Sequence, residues 1–156
     1  MVRPPNSKGR YSEGEFLPAN PEKCLNSGKI FYRSSWELNF MNKCDTNPAI
    51  MQWASEAIKI PYYNMITKKQ TIYIPDFLIQ YVDANNKVHI DLIEIKPLNQ
   101  TIQERARGVR NKVQLAINTC KWKAAHKWCK KHGMGFKIIT EADLFPALTG
   151  RRKRKR

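Results

Sequence analysis

No stretch of this 156-residue chain is apolar for long enough to cross a bilayer as a helix, which takes about 20 residues. The opening residues, MVRPPNSKGRYSEGEF, lack the apolar core of a secretory signal, so a cytoplasmic protein with no membrane partner is expected. The four cysteines, Cys24, Cys44, Cys120 and Cys129, form no CxxC pair, and free thiols are the expected state. A zinc site from Cys120, His126, Cys129 and His132 on one helix meets an obstacle. Cys120 lies about two and a half helical turns from Cys129, too far for one tetrahedral ion. Internal repeats are absent, and the length suits one domain with a real core better than two. Acidic residues are few: 13 against 28 Lys and Arg, for a net charge of +15. Self-repulsion of that size disfavours a compact chain without a polyanionic partner. Nucleic acid is the expected partner, ahead of an anionic membrane surface. Six of the charges are the terminal run Arg151, Arg152, Lys153, Arg154, Lys155 and Arg156, which leaves +9 on the rest.

Residues 1–30 hold four of the nine prolines and little periodicity, and read as an extended basic arm. Ser34-x-x-Glu37 is a capping box, followed by Trp36, Phe40, Met41 and Cys44 at helical spacing until Asn47-Pro48. Residues 49–61 alternate as short strands. TIYIPDFLIQYV (71–82) and VHIDLIEIK (88–96) read as a β-hairpin closed by the turn residues DANNK. A helical region is expected from about Gln100 to Lys131, divided at Gly108, with Val113, Ile117, Cys120, Ala124 and Trp128 as its buried stripe. Gly133 and Gly135 end it. GFKIIT (135–140) is a last strand, and Glu141–Leu144 starts a short helix. This order predicts an α/β sandwich around a mixed sheet, with one domain over 31–148 and a basic tail at 149–156.

The hairpin carries the chemistry. With its turn near Asn85, paired residue numbers sum to about 170, so Asp76 faces Glu94 across the ladder, with Cβ atoms roughly 4.5–5.5 Å apart. Two opposed carboxylates are costly without a cation between them. Mg²⁺ suits such a site, because it takes oxygen ligands and keeps waters that substrate phosphate can replace. Alternation places Ile72, Ile74, Asp76 and Leu78 on one face, and Ile90, Leu92, Glu94 and Lys96 on one face of the partner strand. An apolar face that turns ionic at its end is where a site is expected. The Lys96 ammonium can orient an attacking water and offset charge on a phosphate.

Pro75-Asp76 followed by Glu94-Ile95-Lys96 resembles the PD-(D/E)xK nuclease superfamily, which has the restriction-endonuclease-like fold. YRSSWELNF, IPDFLI, LIEIKP and NTCKWKAAHKWCKKHGMGFKIITE resemble the end-cutting transposase subunits, and most of all the head completion nucleases of T-even-like tailed phages. The likeness covers roughly residues 30 to 145. It implies a core sheet of four to five strands flanked by helices. It implies a metal-dependent DNA endonuclease acting at the filled phage head before tail joining, with Mg²⁺ as cofactor and Mn²⁺ able to substitute. Asp76 and Glu94 would hold metal, Lys96 would position water, and Glu37, on the preceding helix, would join the site by binding a second metal or one of its waters. Phage portal or neck proteins would be partners, in the host cytoplasm and the virion, with the protein a monomer or transient homodimer.

Plainer alternatives stand beside each residue. Asp76 and Glu94 could be an inert pair held by lysines. Glu37 could serve only the helix cap, worth about 1 kcal/mol. Lys112, Lys123 and Lys130 fall within about 20° on a helical wheel and could track phosphates, or simply face solvent. Arg33 could reach a phosphate beside the site helix. Trp122 and Trp128 read as core or interface anchors, and His89 lies on the face away from Glu94. The terminal basic run would add salt-sensitive DNA affinity. The whole chain could also be a non-catalytic head–tail assembly factor on a nuclease fold, or a sequence-directed or transposase-type cutter.

Overall fold

The structure, a computed structural model, describes residues 13–101 and 108–144. Arg151, Arg152, Lys153, Arg154, Lys155 and Arg156, and the first twelve residues, lie outside that range. The chain runs through β1 (Gly14–Phe16), β2 (Ile30–Tyr32), α1 (Ser35–Thr46), β3 (Ile50–Ser55), β4 (Ile60–Asn64) and β5 (Lys69–Tyr73). It continues through β6 (Phe77–Val82), β7 (Val88–Ile95), α2 (Gly108–Lys131), β8 (Gly135–Ile139) and α3 (Glu141–Leu144). The central sheet has the order β3-β6-β7-β8, antiparallel except for the β7–β8 pair. A parallel return needs a long crossover, and α2 supplies it. This is the mixed α/β sandwich expected from the sequence, with a restriction-endonuclease-like core.

Two apolar clusters fill the two faces of the sheet. Phe40, Met41 and Cys44 of α1 pack with Trp53, Phe77, Ile79, Ile93 and Ile95 on one side. Trp122, Ala125 and Cys129 of α2 pack with Leu92, Phe136, Ile60, Tyr62 and Tyr73 on the other. Successive residues of β7 therefore alternate between the helices: Ile93 and Ile95 face α1, and Leu92 and Glu94 face α2. The segment before α1 packs onto it. Phe16 and Ile30 enter the α1-side core, and the buried Asp45 carboxylate accepts the N–H groups of Ala19 and Asn20 at 2.9 Å each.

Helix α1 starts where its cap predicts, with Ser34 Oγ accepting the Glu37 N–H at 3.1 Å. The β6–β7 hairpin has the expected register, since Phe77 pairs with Ile93 and Val82 with Val88. Two expectations are corrected. The stretch 71–82 is two strands rather than one. Tyr73 ends β5, which pairs with β4 in a separate hairpin, and the chain turns at Ile74-Pro75-Asp76 before β6 begins. Pro75 has no N–H for a ladder. Ile72 and Ile74 are consequently 57% and 40% exposed, not part of a buried apolar face. Second, the buried line of α2 is Asn118, Trp122, Ala125 and Cys129, rotated one residue from the expected stripe, whose members are half-buried. Helix α2 itself starts at Gly108, where the sequence divides the expected helical region and where a φ of 77° is one that glycine adopts freely. A short 3₁₀ turn occupies Leu98–Gln100, and the part of the expected helix at 102–107 lies outside the described residues.

Candidate active site

The break at Pro75 brings Asp76 to the end of β6, one residue beyond the last pair of the ladder. Continued by one step, the Phe77–Ile93 register sets Asp76 opposite Glu94. Asp76 Oδ2 accepts the backbone N–H of Ile95 at 2.8 Å. Glu94 is buried, 6% exposed, at the end of β7. Its Oε2 accepts the Tyr73 hydroxyl at 2.6 Å, and its Oε1 stands 3.6 Å from Lys96 Nζ. Burial, and then the charge of Glu94, push Asp76 well above the usual carboxylate range, against the Ile95 hydrogen bond that pulls it down. Burial also raises Glu94, opposed by the Tyr73 hydrogen bond and by Lys96 and Lys121.

These groups open onto a cleft of about 420 Å³ between the end of the sheet and the start of α1. Arg33, Glu37, Asp76, Glu94, Lys96 and Gln100 are among its lining residues. Glu37 shares the cleft, and its charge reaches Asp76. Its own Oε2 is engaged at 2.7 Å by the Arg33 N–H, so it closes the cap one residue further back than a capping box would. Burial raises its pKa as well. The Arg33 guanidinium pairs with Glu56 at 3.4 Å on the surface.

Among the described residues no three His, Cys, Asp or Glu side chains cluster tightly enough to hold one ion. Asp76 and Glu94 thus stand as a pair, with Glu37 nearby but not in their cluster. The pair still fits a divalent magnesium ion. The donors are hard oxygens, two buried carboxylates repel each other without a cation, and Mg²⁺ commonly takes only one or two carboxylates, completing its shell with water and phosphate. The set Cys120, His126, Cys129 and His132 is not gathered: His126 packs edge-on against Phe136, and His132 stacks on Trp128. His89 stacks on Tyr81 and pairs with Asp83, away from the cleft.

Lys112, Lys123 and Lys130 are exposed on α2 and do not line the cleft. Lys121 of α2 is half-buried, and its ammonium interacts with Glu94 and Asp76. Sequence reasoning passed over Lys121 and Tyr73. In one continuous strand Tyr73 and Asp76, three apart, would point to opposite faces. The turn at Pro75 reverses that parity and puts both beside Glu94. Lys121 would have stood out only from the true buried line of α2, which it immediately flanks.

A family model described as "TnsA-like endonuclease N terminal" matches residues 47–141, a span that includes Tyr73, Asp76, Glu94, Lys96 and Lys121. The "Head completion nuclease" of Enterobacteria phage T4 is 32% identical over 140 residues, covering 84% of this chain and 92% of that protein.

Proposed function

We propose, from the premise that the chain belongs to the TnsA-like endonucleases and to the family of the phage head completion nuclease, that it is a magnesium-dependent endonuclease that hydrolyses DNA at the filled phage head before tail joining. The observation that carries the metal-dependent reading is the buried, opposed pair Asp76 and Glu94, with the Lys96 ammonium 3.6 Å from Glu94 at the wall of an open cleft. A carboxylate pair that only served the fold would gain by replacement with apolar residues. When bound, magnesium supplies Lewis acidity and positive charge at the phosphate, and Mn²⁺ is expected to replace it. Asp76 and Glu94 hold the ion. Lys96 orients the attacking water and offsets negative charge developing on the phosphate. Glu37, in the same cleft, acts from beyond the pair by holding water on its raised carboxyl. No covalent enzyme intermediate is required. The net charge of +15 favours binding to the phosphate backbone without strong sequence preference, with Lys112, Lys123, Lys130 and the terminal basic run as outlying contacts. Portal or neck proteins of the virion are the partners that would bring it to the DNA end.

The test is incubation of the wild type and Asp76→Ala with supercoiled and linear DNA, in Mg²⁺ and in EDTA. The reading expects cutting only by the wild type and only with metal. Equal cutting by the two proteins, or cutting that survives EDTA, would overturn it.

A further inference from the structure

Two residues outside the lining of the cleft bear on one of its carboxylates. Tyr73 closes β5 and is 4% exposed. Its hydroxyl donates to Glu94 Oε2 at 2.6 Å, a bond buried at both ends. Burial, and then the charge of Glu94, push the Tyr73 phenol far above its ordinary pKa, so it remains a donor at every pH the protein meets. Behind it, Lys121 of α2 is half-buried, with Nζ 5.7 Å from the centre of the Tyr73 ring. That distance lies within the cation–π range of about 6 Å. The ammonium also acts on Glu94 and Asp76.

A glutamate reaches a site through three rotatable bonds, and an unrestrained one samples many useless positions. Carboxylates that hold metals are usually themselves held by an outer hydrogen bond. Glu94 has its restraint in the hydroxyl of a residue from another hairpin, and that ring is backed by a cation from a helix. Three separate elements, β5, β7 and α2, thus converge on one carboxyl group.

We propose that Tyr73 and Lys121 are positioning residues for Glu94: Tyr73 pins Oε2 so that Oε1 is presented beside Lys96, and Lys121 holds the Tyr73 ring in place. The inference rests on the reading of Glu94 as a metal-holding carboxylate and deepens it. The pair touches neither DNA nor the reacting atoms, so its signature is a loss of metal affinity and of Glu94 order while DNA binding persists.

The experiment uses the full chain as wild type, Tyr73→Phe, Lys121→Met and Lys121→Arg. Mn²⁺ binding without DNA is measured by calorimetry, and the Glu94 side-chain carboxyl carbon is followed by ¹³C NMR in the metal-free protein. Tyr73→Phe is expected to weaken Mn²⁺ binding roughly 10–100-fold, the usual effect of losing an outer partner. It should also move the Glu94 resonance, while metal-free DNA affinity stays at the wild-type value. Lys121→Met should change both readouts in the same direction by less, and Lys121→Arg should restore them, since arginine also stacks on aromatic rings. Mn²⁺ affinity within about twofold of wild type in Tyr73→Phe, with an unmoved Glu94 resonance, would overturn the proposal. If Tyr73→Phe does not fold, an unmoved resonance and unchanged affinity in Lys121→Met would overturn the pair. If the wild type itself binds no Mn²⁺, the metal reading fails and the resonance alone decides: a shift in Tyr73→Phe sustains the positioning role, and no shift ends it.

Discussion

Asp76 Oδ2 accepts the backbone N–H of Ile95 at 2.8 Å, so the carboxylate closes the β6–β7 ladder where the partner strand has turned away at Pro75. One acid therefore has a structural oxygen beside the metal-holding role proposed for it. Asp76→Asn keeps an oxygen for the Ile95 N–H and removes the charge. It should fold with a normal circular dichroism spectrum. DNA cutting should fall by more than the roughly 10–100-fold that loss of an outer partner costs, because a metal-holding group itself is lost. Nicking of supercoiled DNA in Mg²⁺ measures this. A variant that nicks at the wild-type rate would remove Asp76 from the site.

The same pair makes metal-free stability depend on pH. Asp76 and Glu94 are both raised by burial above their ordinary values, about 3.9 and 4.3. The folded protein therefore binds more protons than the unfolded chain in the interval between the ordinary and the raised values. Stability is greatest below that interval and falls as pH rises through it. In EDTA, melting temperature should decline over this range in the wild type and decline less in Asp76→Asn, which should be the more stable of the two at neutral pH. Added Mg²⁺ should raise melting of the wild type by mass action and leave Asp76→Asn nearly unmoved. A flat profile for the wild type in EDTA would mean that the acids are already compensated.

Lys96 stands apart from the acids in what its loss should do. In the proposed mechanism it contributes one of many positive charges to DNA binding, and, from just past the end of β7, a charge beside the reacting phosphate. Lys96→Ala is expected to leave DNA affinity in a mobility-shift assay nearly unchanged and to abolish cutting. Good cutting by this variant would end the role assigned to it.

Features set by local chemistry were legible in the sequence. Ser34 caps α1 because a hydroxyl can accept the Glu37 N–H wherever the helix lies. The β6–β7 register follows from turn residues at 83–87 and from alternation, and it alone placed Asp76 opposite Glu94. Features set by distant packing were not. Pro75 ends one strand and opens another, a choice fixed by β4 pairing with β5 and lying on α2. The buried line of α2 includes Asn118, fully buried although polar, so counting apolar residues pointed one position away. Tyr73 and Lys121 were missed for these two reasons in turn, because each reaches Glu94 only after a long-range packing choice has been made.

Glu37 offers a separation of cap from chemistry. Its backbone N–H is capped by Ser34, and its carboxylate accepts the Arg33 N–H at 2.7 Å. Glu37→Gln keeps an acceptor oxygen for Arg33 and loses only a charge that burial disfavours, so its melting temperature should be no lower than the wild type's. Glu37→Ala loses the acceptor and should be less stable by about 1 kcal/mol, as for other helix caps. If Glu37 acts in the cleft, both variants should cut DNA poorly, because the lost charge is common to them. If it serves the helix alone, Glu37→Gln should cut like the wild type and Glu37→Ala should fail only near its own melting temperature. Parallel melting curves and nicking assays on the two variants therefore separate the roles, since stability tracks the hydrogen bond and cutting tracks the charge.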